Sequence, residues 1–126
     1  MITALYAGIL GIMYVILSVQ VIKGRFHYRI SLFDGNNDDM KKRIRAHANF
    51  AEYVPLALVL MICMELQRAD DIYLHLLGIT LCAGRFAHAI GIVRYLNANL
   101  YRALGTVATF TVITIASIYL ILEYFY

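Results

Sequence analysis

The sequence predicts an all-α integral membrane protein, a bundle of four helices, and three observations carry that prediction. Apolar residues gather into four runs, each close to the roughly 20 residues that a helix needs to cross a bilayer. Charge is scarce, 15% of the residues against 62% hydrophobic, and mean hydropathy is +0.71. Basic residues are concentrated in particular loops, the pattern by which orientation in a membrane is set. A length of 126 residues fits one domain. The net charge of +3 is small and its basic residues cluster in one loop, which leaves nucleic-acid binding without support.

The first span covers about residues 2–22 and holds no charged side chain. Its flanks do not fit a signal peptide. Basic residues follow it instead of preceding it, and no small-residue cleavage site stands at its end. It reads as a retained span with the N-terminus outside. The loop 23–45 that follows is the one long polar stretch. Lys23, Arg25, Arg29, Lys41, Lys42, Arg43 and Arg45 are opposed there by Asp34, Asp38 and Asp39 alone, so the positive-inside rule places it in the cytoplasm. Within it, Asp34-Gly35-Asn36-Asn37 is a turn signal, and Asn37 or Asp38 is suited to cap the next helix.

The second span covers about 46–66, and Pro55 inside it removes the bond to the Ala51 carbonyl, so a kink is expected there. The third covers about 72–93 and carries Arg85 and His88 one turn apart. Ala83, Ala87 and Gly91 in the same segment form a small-residue row that allows close helix packing. The loop 94–103 is again basic, and the fourth span covers about 104–124 and is rich in Thr, Ile and Val. Both termini therefore fall outside. Cys63 and Cys82 sit singly in apolar runs with no metal-ligand spacing, which reads as packing and not as a metal or redox site.

The informative stretch is Arg45-Ala46-His47-Ala48-Asn49-Phe50-Ala51-Glu52-Tyr53-Val54-Pro55, at the cytoplasmic mouth of the second span. At about 100° per residue, Arg45, Asn49 and Glu52 lie near 0°, 40° and −20° and so share one stripe. Tyr53 flanks the stripe and His47 points nearly the other way. Glu52 lies about 9 Å into its span and Arg85 about 12 Å into its own, by the helical rise. Ionisable groups at that depth are costly unless paired. The expectation is a buried Glu52–Arg85 ion pair, with Asn49 and Tyr53 adding hydrogen bonds, and a Glu52→Gln change that strands Arg85. Arg25, Arg29, Arg45 and Arg102 ring the same mouth, which suggests an anionic, polar ligand entering from the cytosol.

These residues resemble a known family. Arg45-Ala46-His47-x-Asn49-x-x-Glu52 is similar to the signature of prostaglandin-synthase members of the MAPEG superfamily, the membrane-associated proteins of eicosanoid and glutathione metabolism. Glu52-Tyr53-x-Pro55 and Gln20-Val21-Ile22-x-x-Arg25-x-x-x-Arg29 are similar to its leukotriene-synthase members. Gly84-Arg85-Phe86-Ala87-His88 resembles the third helix of the former. The resemblance covers essentially the whole chain and points to the bacterial branch, hence to an inner membrane. It implies a homotrimer, with glutathione as co-substrate bound between subunits and no metal. By position, Arg25, Arg45, His47, Asn49, Glu52, Tyr53 and His88 would contact glutathione. Arg102 would be the catalytic arginine that stabilises the thiolate, with Arg94 as the other candidate.

The chain departs from the family pattern at His88 and Ile92, where active relatives carry tyrosines. The implied activity is a glutathione-dependent transferase or peroxidase acting on lipophilic electrophiles that arrive from membrane lipid. The alternative is a non-catalytic lipid- or glutathione-binding membrane protein of the same fold. Four short spans with one buried Glu also resemble small multidrug exporters. Those place their carboxylate in the first helix, where this chain has none.

Overall fold

A computed structural model describes residues 1–94 and 97–125. They form four helices in an all-α arrangement: α1 (Ile2–Tyr28), α2 (Asp38–Leu66), α3 (Asp71–Arg94) and α4 (Leu100–Phe125). All four are long and apolar enough to cross a membrane. α2 and α3 are central: α1 packs on both, α4 packs on both, and α1 and α4 do not meet. Large apolar side chains cover the outer surface, including Ile12, Val15, Phe110, Ile118 and Ile121. An exterior as apolar as the interior is what a lipid solvent permits.

Two helices begin or end well beyond their apolar runs. α1 continues to Tyr28, where Arg29 takes the left-handed conformation (φ 54°) and closes the helix onto the Arg25 carbonyl. α2 begins at Asp38, about two turns before the membrane run. Asn37 caps it, its side chain accepting from the Met40 amide at 2.9 Å, while Asp38 and Asp39 sit favourably in the first turn. The turn before it uses positive φ at Gly35 (58°) and Asn36 (57°), and Asp34 Oδ1 accepts from the Asn36 amide. α2 runs on as one helix through Pro55. Glu65 is in the last turn of α2. There it accepts from the backbone amides of Ile2 and Thr3 and so caps α1 across the helix boundary.

The tightest packing is between α3 and α4, and glycine makes it possible. A Cβ on Gly105 would lie 2.5 Å from the Gly84 carbonyl oxygen and 2.9 Å from the His88 amide nitrogen. A Cβ on Gly84 would lie 2.8 Å from that of Ala108. The small-residue row at work is therefore Gly84 and Gly91 against α4. Of the expected row Ala83, Ala87 and Gly91, Ala83 is exposed and only Gly91 is buried. Gly84 takes the place expected of Ala83 because α3 turns its Gly84–Arg85–His88 side inward. Cys63 and Cys82 are half-buried free thiols. Gly105→Ala is expected to destabilise by about 1–3 kcal/mol, the usual cost of overpacking, as a lower melting temperature in detergent. Gly8→Ala, with nothing within 4 Å of the added carbon, is the matched control and should be neutral or slightly stabilising.

At the loop end of the bundle, α1 and α2 are joined by a polar knot. Arg43 donates from Nε to Asp39 Oδ2 at 2.7 Å and from Nη1 to the Gln20 carbonyl at 3.1 Å, and Tyr28 donates its hydroxyl to the same Asp39 oxygen. The Arg43 bond holds the Asp39 carboxyl below its ordinary range, helped by the Tyr28 bond and opposed by partial burial. The Tyr28 hydroxyl is raised, first by its bond to that carboxylate. A carboxyl lowered on folding stabilises above its unfolded value, near 3.8, and this is lost as pH falls through the folded value. Asp39→Asn should therefore cost about 1 kcal/mol or less at neutral pH, since the pair is partly exposed. The difference from wild type should shrink as pH falls below 3.8 and through the lowered folded value, followed by thermal unfolding.

Candidate functional site

The polar residues of the membrane region meet between α2, α3 and α4. At the centre is Arg85, 2% exposed and among the largest fully buried side chains. Its Nη2 donates to Asn49 Oδ1 at 2.8 Å and its Nη1 lies 3.5 Å from Thr109 Oγ1, while the guanidinium sits 5.7 Å from the Phe50 ring centre. Among the described residues it makes no ion pair, and its Nε has no partner. Thr109 is held in turn by donating to the Gly105 carbonyl at 2.8 Å. The guanidinium is thus held by two neutral acceptors and an aromatic face, each from a neighbouring helix.

The expected Glu52–Arg85 ion pair is not formed. Glu52 instead receives a two-pronged contact from Arg45, Nη1 to Oε1 at 3.1 Å and Nη2 to Oε2 at 3.2 Å, with both side chains exposed. Helical geometry explains the correction. The buried residues Ala46, Phe50, Val54, Ala57 and Met61 of α2 centre at about 140° from Arg45. Asn49, near 40°, is at the edge of that face, whereas Glu52, near −20°, is turned almost fully away from it. Equal depth was not enough; Asn49, one turn earlier, has the angle that reaches α3.

Beside this centre, a cleft of about 410 Å³ opens between α2, α3 and α4, lined by Arg45, Asn49, His88, Ile92, Asn99, Arg102 and Thr106 among others. His88 is 3% exposed and its Nδ1 has no hydrogen-bond partner. Asn99 builds the rim. It caps α4 by accepting from the Arg102 amide at 3.1 Å and donates to the Gly91 carbonyl of α3 at 2.9 Å. Arg102, in the first turn of α4, is half-buried and donates to the Asn97 carbonyl. Gly91 leaves room for it: a Cβ there would lie 2.9 Å from Arg102 Cγ. The cleft therefore has two guanidiniums and two side-chain amides on its wall, with a third guanidinium just behind.

Of the residues expected at the site, the fold brings Arg45, Asn49, His88 and Arg102 to one cleft. The others lie elsewhere in the single chain. Arg25 lines a separate cleft at the end of α1, with Arg29, and donates to the Phe33 carbonyl at 3.1 Å. His47 faces α1, its ring 4.9 Å from that of Tyr14. Tyr53 packs edge-on against Phe110 of α4 at 5.3 Å. Arg94 is exposed at the end of α3 and does not line the cleft. The sequence reading missed Asn99 and Thr109. An Asn directly before Leu100-Tyr101-Arg102 is a cap signal, hidden because the hydrophobic run starts a turn later.

The MAPEG family's sequence pattern matches residues 3–122, nearly the whole chain. The chain belongs to the MAPEG family. Curated relatives include the inner membrane protein YecN from two Escherichia coli strains, 38% identical over 91 residues, or 72% of this chain and 70% of the relative. Family membership and four membrane-length helices make the chain an integral membrane protein. Within this MAPEG protein the stretch Arg45–Glu52 thus divides its labour: Asn49 serves the buried Arg85, and Glu52 serves the exposed Arg45. The two roles carry different energies. Asn49→Ala should cost about 1.5–3 kcal/mol, because it strips a buried charged donor of its acceptor. Glu52→Gln should cost about 1 kcal/mol or less, reversing the order that a Glu52–Arg85 pair implied. Melting temperatures of the two variants in one detergent check this ranking.

Proposed function

We propose that the chain is a glutathione-dependent membrane transferase or peroxidase acting on lipophilic electrophiles. The observation that carries this reading is the cleft that collects Arg45, Asn49, His88 and Arg102 inside an otherwise apolar bundle. Glutathione brings two carboxylates, an ammonium, two amides and a thiol. Guanidiniums hold carboxylates through paired charge-assisted bonds, and Arg45 offers one in the cleft. Glu52, on the Arg45 side, is an acceptor for the ammonium. A cleft of about 410 Å³ is in the range of small-molecule sites.

Arg102 is the residue proposed for catalysis. A guanidinium beside the glutathione sulfur favours the charged form of the thiol, which raises the nucleophilic fraction near neutral pH. The proton leaves to solvent through the open mouth. The sulfur then bonds to an electrophilic carbon presented from the lipid side, where the outer face of α4 is apolar, while that carbon's bond to its leaving group breaks and the leaving group departs with the electron pair. His88 is buried in the wall of the cleft, and its Nδ1 has no hydrogen-bond partner.

The proposal extends to a homotrimer in an inner membrane, with sites between subunits. Arg45 and Glu52 form an outward-facing ion pair at a depth where lipid solvates charge poorly, and a neighbouring copy would cover it. Arg25, Tyr53 and His47, which this chain does not bring to the cleft, would then act on a site in another copy or in its walls. The Escherichia coli relatives are inner membrane proteins, which supports that location.

Titrating glutathione into detergent-purified protein, while following the ultraviolet absorbance of the thiolate, tests the reading. Wild type should give a saturable thiolate signal. Arg102→Ala should lose that signal while keeping affinity within about tenfold, one charge-assisted bond's worth, and Arg94→Ala should keep both. Binding without thiolate in wild type would make the protein a carrier or scaffold, and absence of binding would end the glutathione reading.

A further inference from the structure

The contact between Arg85 and Asn49 has a chemical direction that fixes more than packing. Asn49 lines the cleft and Arg85 does not, so Arg85 approaches the amide from behind. A guanidinium has only donors. The amide atom within 2.8 Å of Arg85 must therefore be the oxygen, whichever way an isolated amide would be turned. With Oδ1 taken from behind, the group left for the cleft is the Nδ2 amine, which can only donate. Arg45 and Arg102 are also donors without acceptors. The wall made by these three residues thus offers hydrogen to a ligand and takes none.

We infer that Arg85 is a positioning residue: it pins the Asn49 amide so that its amine faces the cleft, committing that wall to ligand carboxylate or carbonyl oxygens. The inference rests on the glutathione reading only for the ligand that reports it. The pinning is a property of the fold. Arg85 is suited to it because it is 2% exposed and braced by Thr109 and Phe50, so its fork does not wander. An amide free to rotate would spend part of its time showing oxygen to the ligand, and oxygen facing a carboxylate repels it.

The test reads the amide and the ligand separately. Wild type, Arg85→Met and Arg85→Lys are compared by the magnetic resonance of the isotope-labelled Asn49 side-chain amide, by glutathione titration calorimetry and by melting temperature. Methionine fills a similar volume without a donor. It should move the Asn49 amide resonances towards those of a free amide and weaken glutathione by about tenfold. Its melting temperature should hold or rise, since a buried charge has been removed. Lysine keeps a donor, and should keep the amide held and glutathione within about threefold, half a decade on the affinity scale; it also serves if the methionine variant does not assemble. Asn49 resonances unmoved by Arg85→Met would overturn the inference. So would a lysine variant that holds the amide yet loses as much affinity as methionine. An amide released by Arg85→Met in a protein that binds no glutathione would support the positioning role and sink the glutathione reading alone.

Discussion

A guanidinium kept at membrane depth without a carboxylate is the constraint around which this bundle is built. Removing a charge from water costs several kcal/mol even after relaxation, and an isolated cation in a helix bundle must recover most of it from its neighbours. Arg85 does so with the Asn49 oxygen from α2, the Thr109 hydroxyl from α4 and the face of Phe50. None of these reaches it unless three helices are in register. The close approach of α3 and α4 at Gly84 and Gly105 supplies that register, because side chains there would hold Thr109 away from α3. The Gly105 carbonyl that accepts from Thr109 belongs to the same contact, so packing and polar satisfaction are one feature.

The same constraint shapes the cleft. Its rim is formed where α3 and α4 meet at Gly91, and Asn99 ties the two helices at that point by bonding both. Because α4 starts there, Arg102 enters in the first turn of a helix whose direction is set by the Gly84–Gly105 contact. A cation in the first turn lies on the unfavourable end of the helix dipole. Its retention there is at odds with helix stability alone and in keeping with a role towards an anion. Arg45 differs: Glu52 already balances it, and both are exposed.

Much of this was legible in the chain. Four helices followed from the apolar runs, a cap at Asn37 or Asp38 from the turn signal before it, and the polar stripe from the spacing of Arg45, Asn49 and Glu52; the structure uses Asn37. The pairing was not legible, because depth is read from residue counts whereas partner choice depends on the rotation of each helix about its axis. The buried row Ala46, Phe50, Val54 and Ala57 does contain that rotation, and it favours Asn49 over Glu52. The extensions of α1 and α2 past their apolar runs were invisible to hydropathy, since caps and local salt bridges sustain them. Asn99 and Thr109 escaped because one lies before the run and the other reads as an ordinary helix threonine.

The choice of an amide at position 49 carries a consequence for charge. A carboxylate there would pair with Arg85 and neutralise it inside the fold, which is the usual way to hold a buried arginine. An amide satisfies the hydrogen bond and leaves the charge. In a low-dielectric interior that charge is felt over several ångströms, where water would have screened it. Arg85 does not line the cleft, yet it stands directly behind the residue that does, with Arg102 across from it. The positive potential of the cleft therefore includes a contribution from a residue that does not line it. Solvation and the proposed recognition place the same demand on position 49: an acceptor on its buried side, a donor on its open side and no charge of its own, which an amide supplies from two separate atoms.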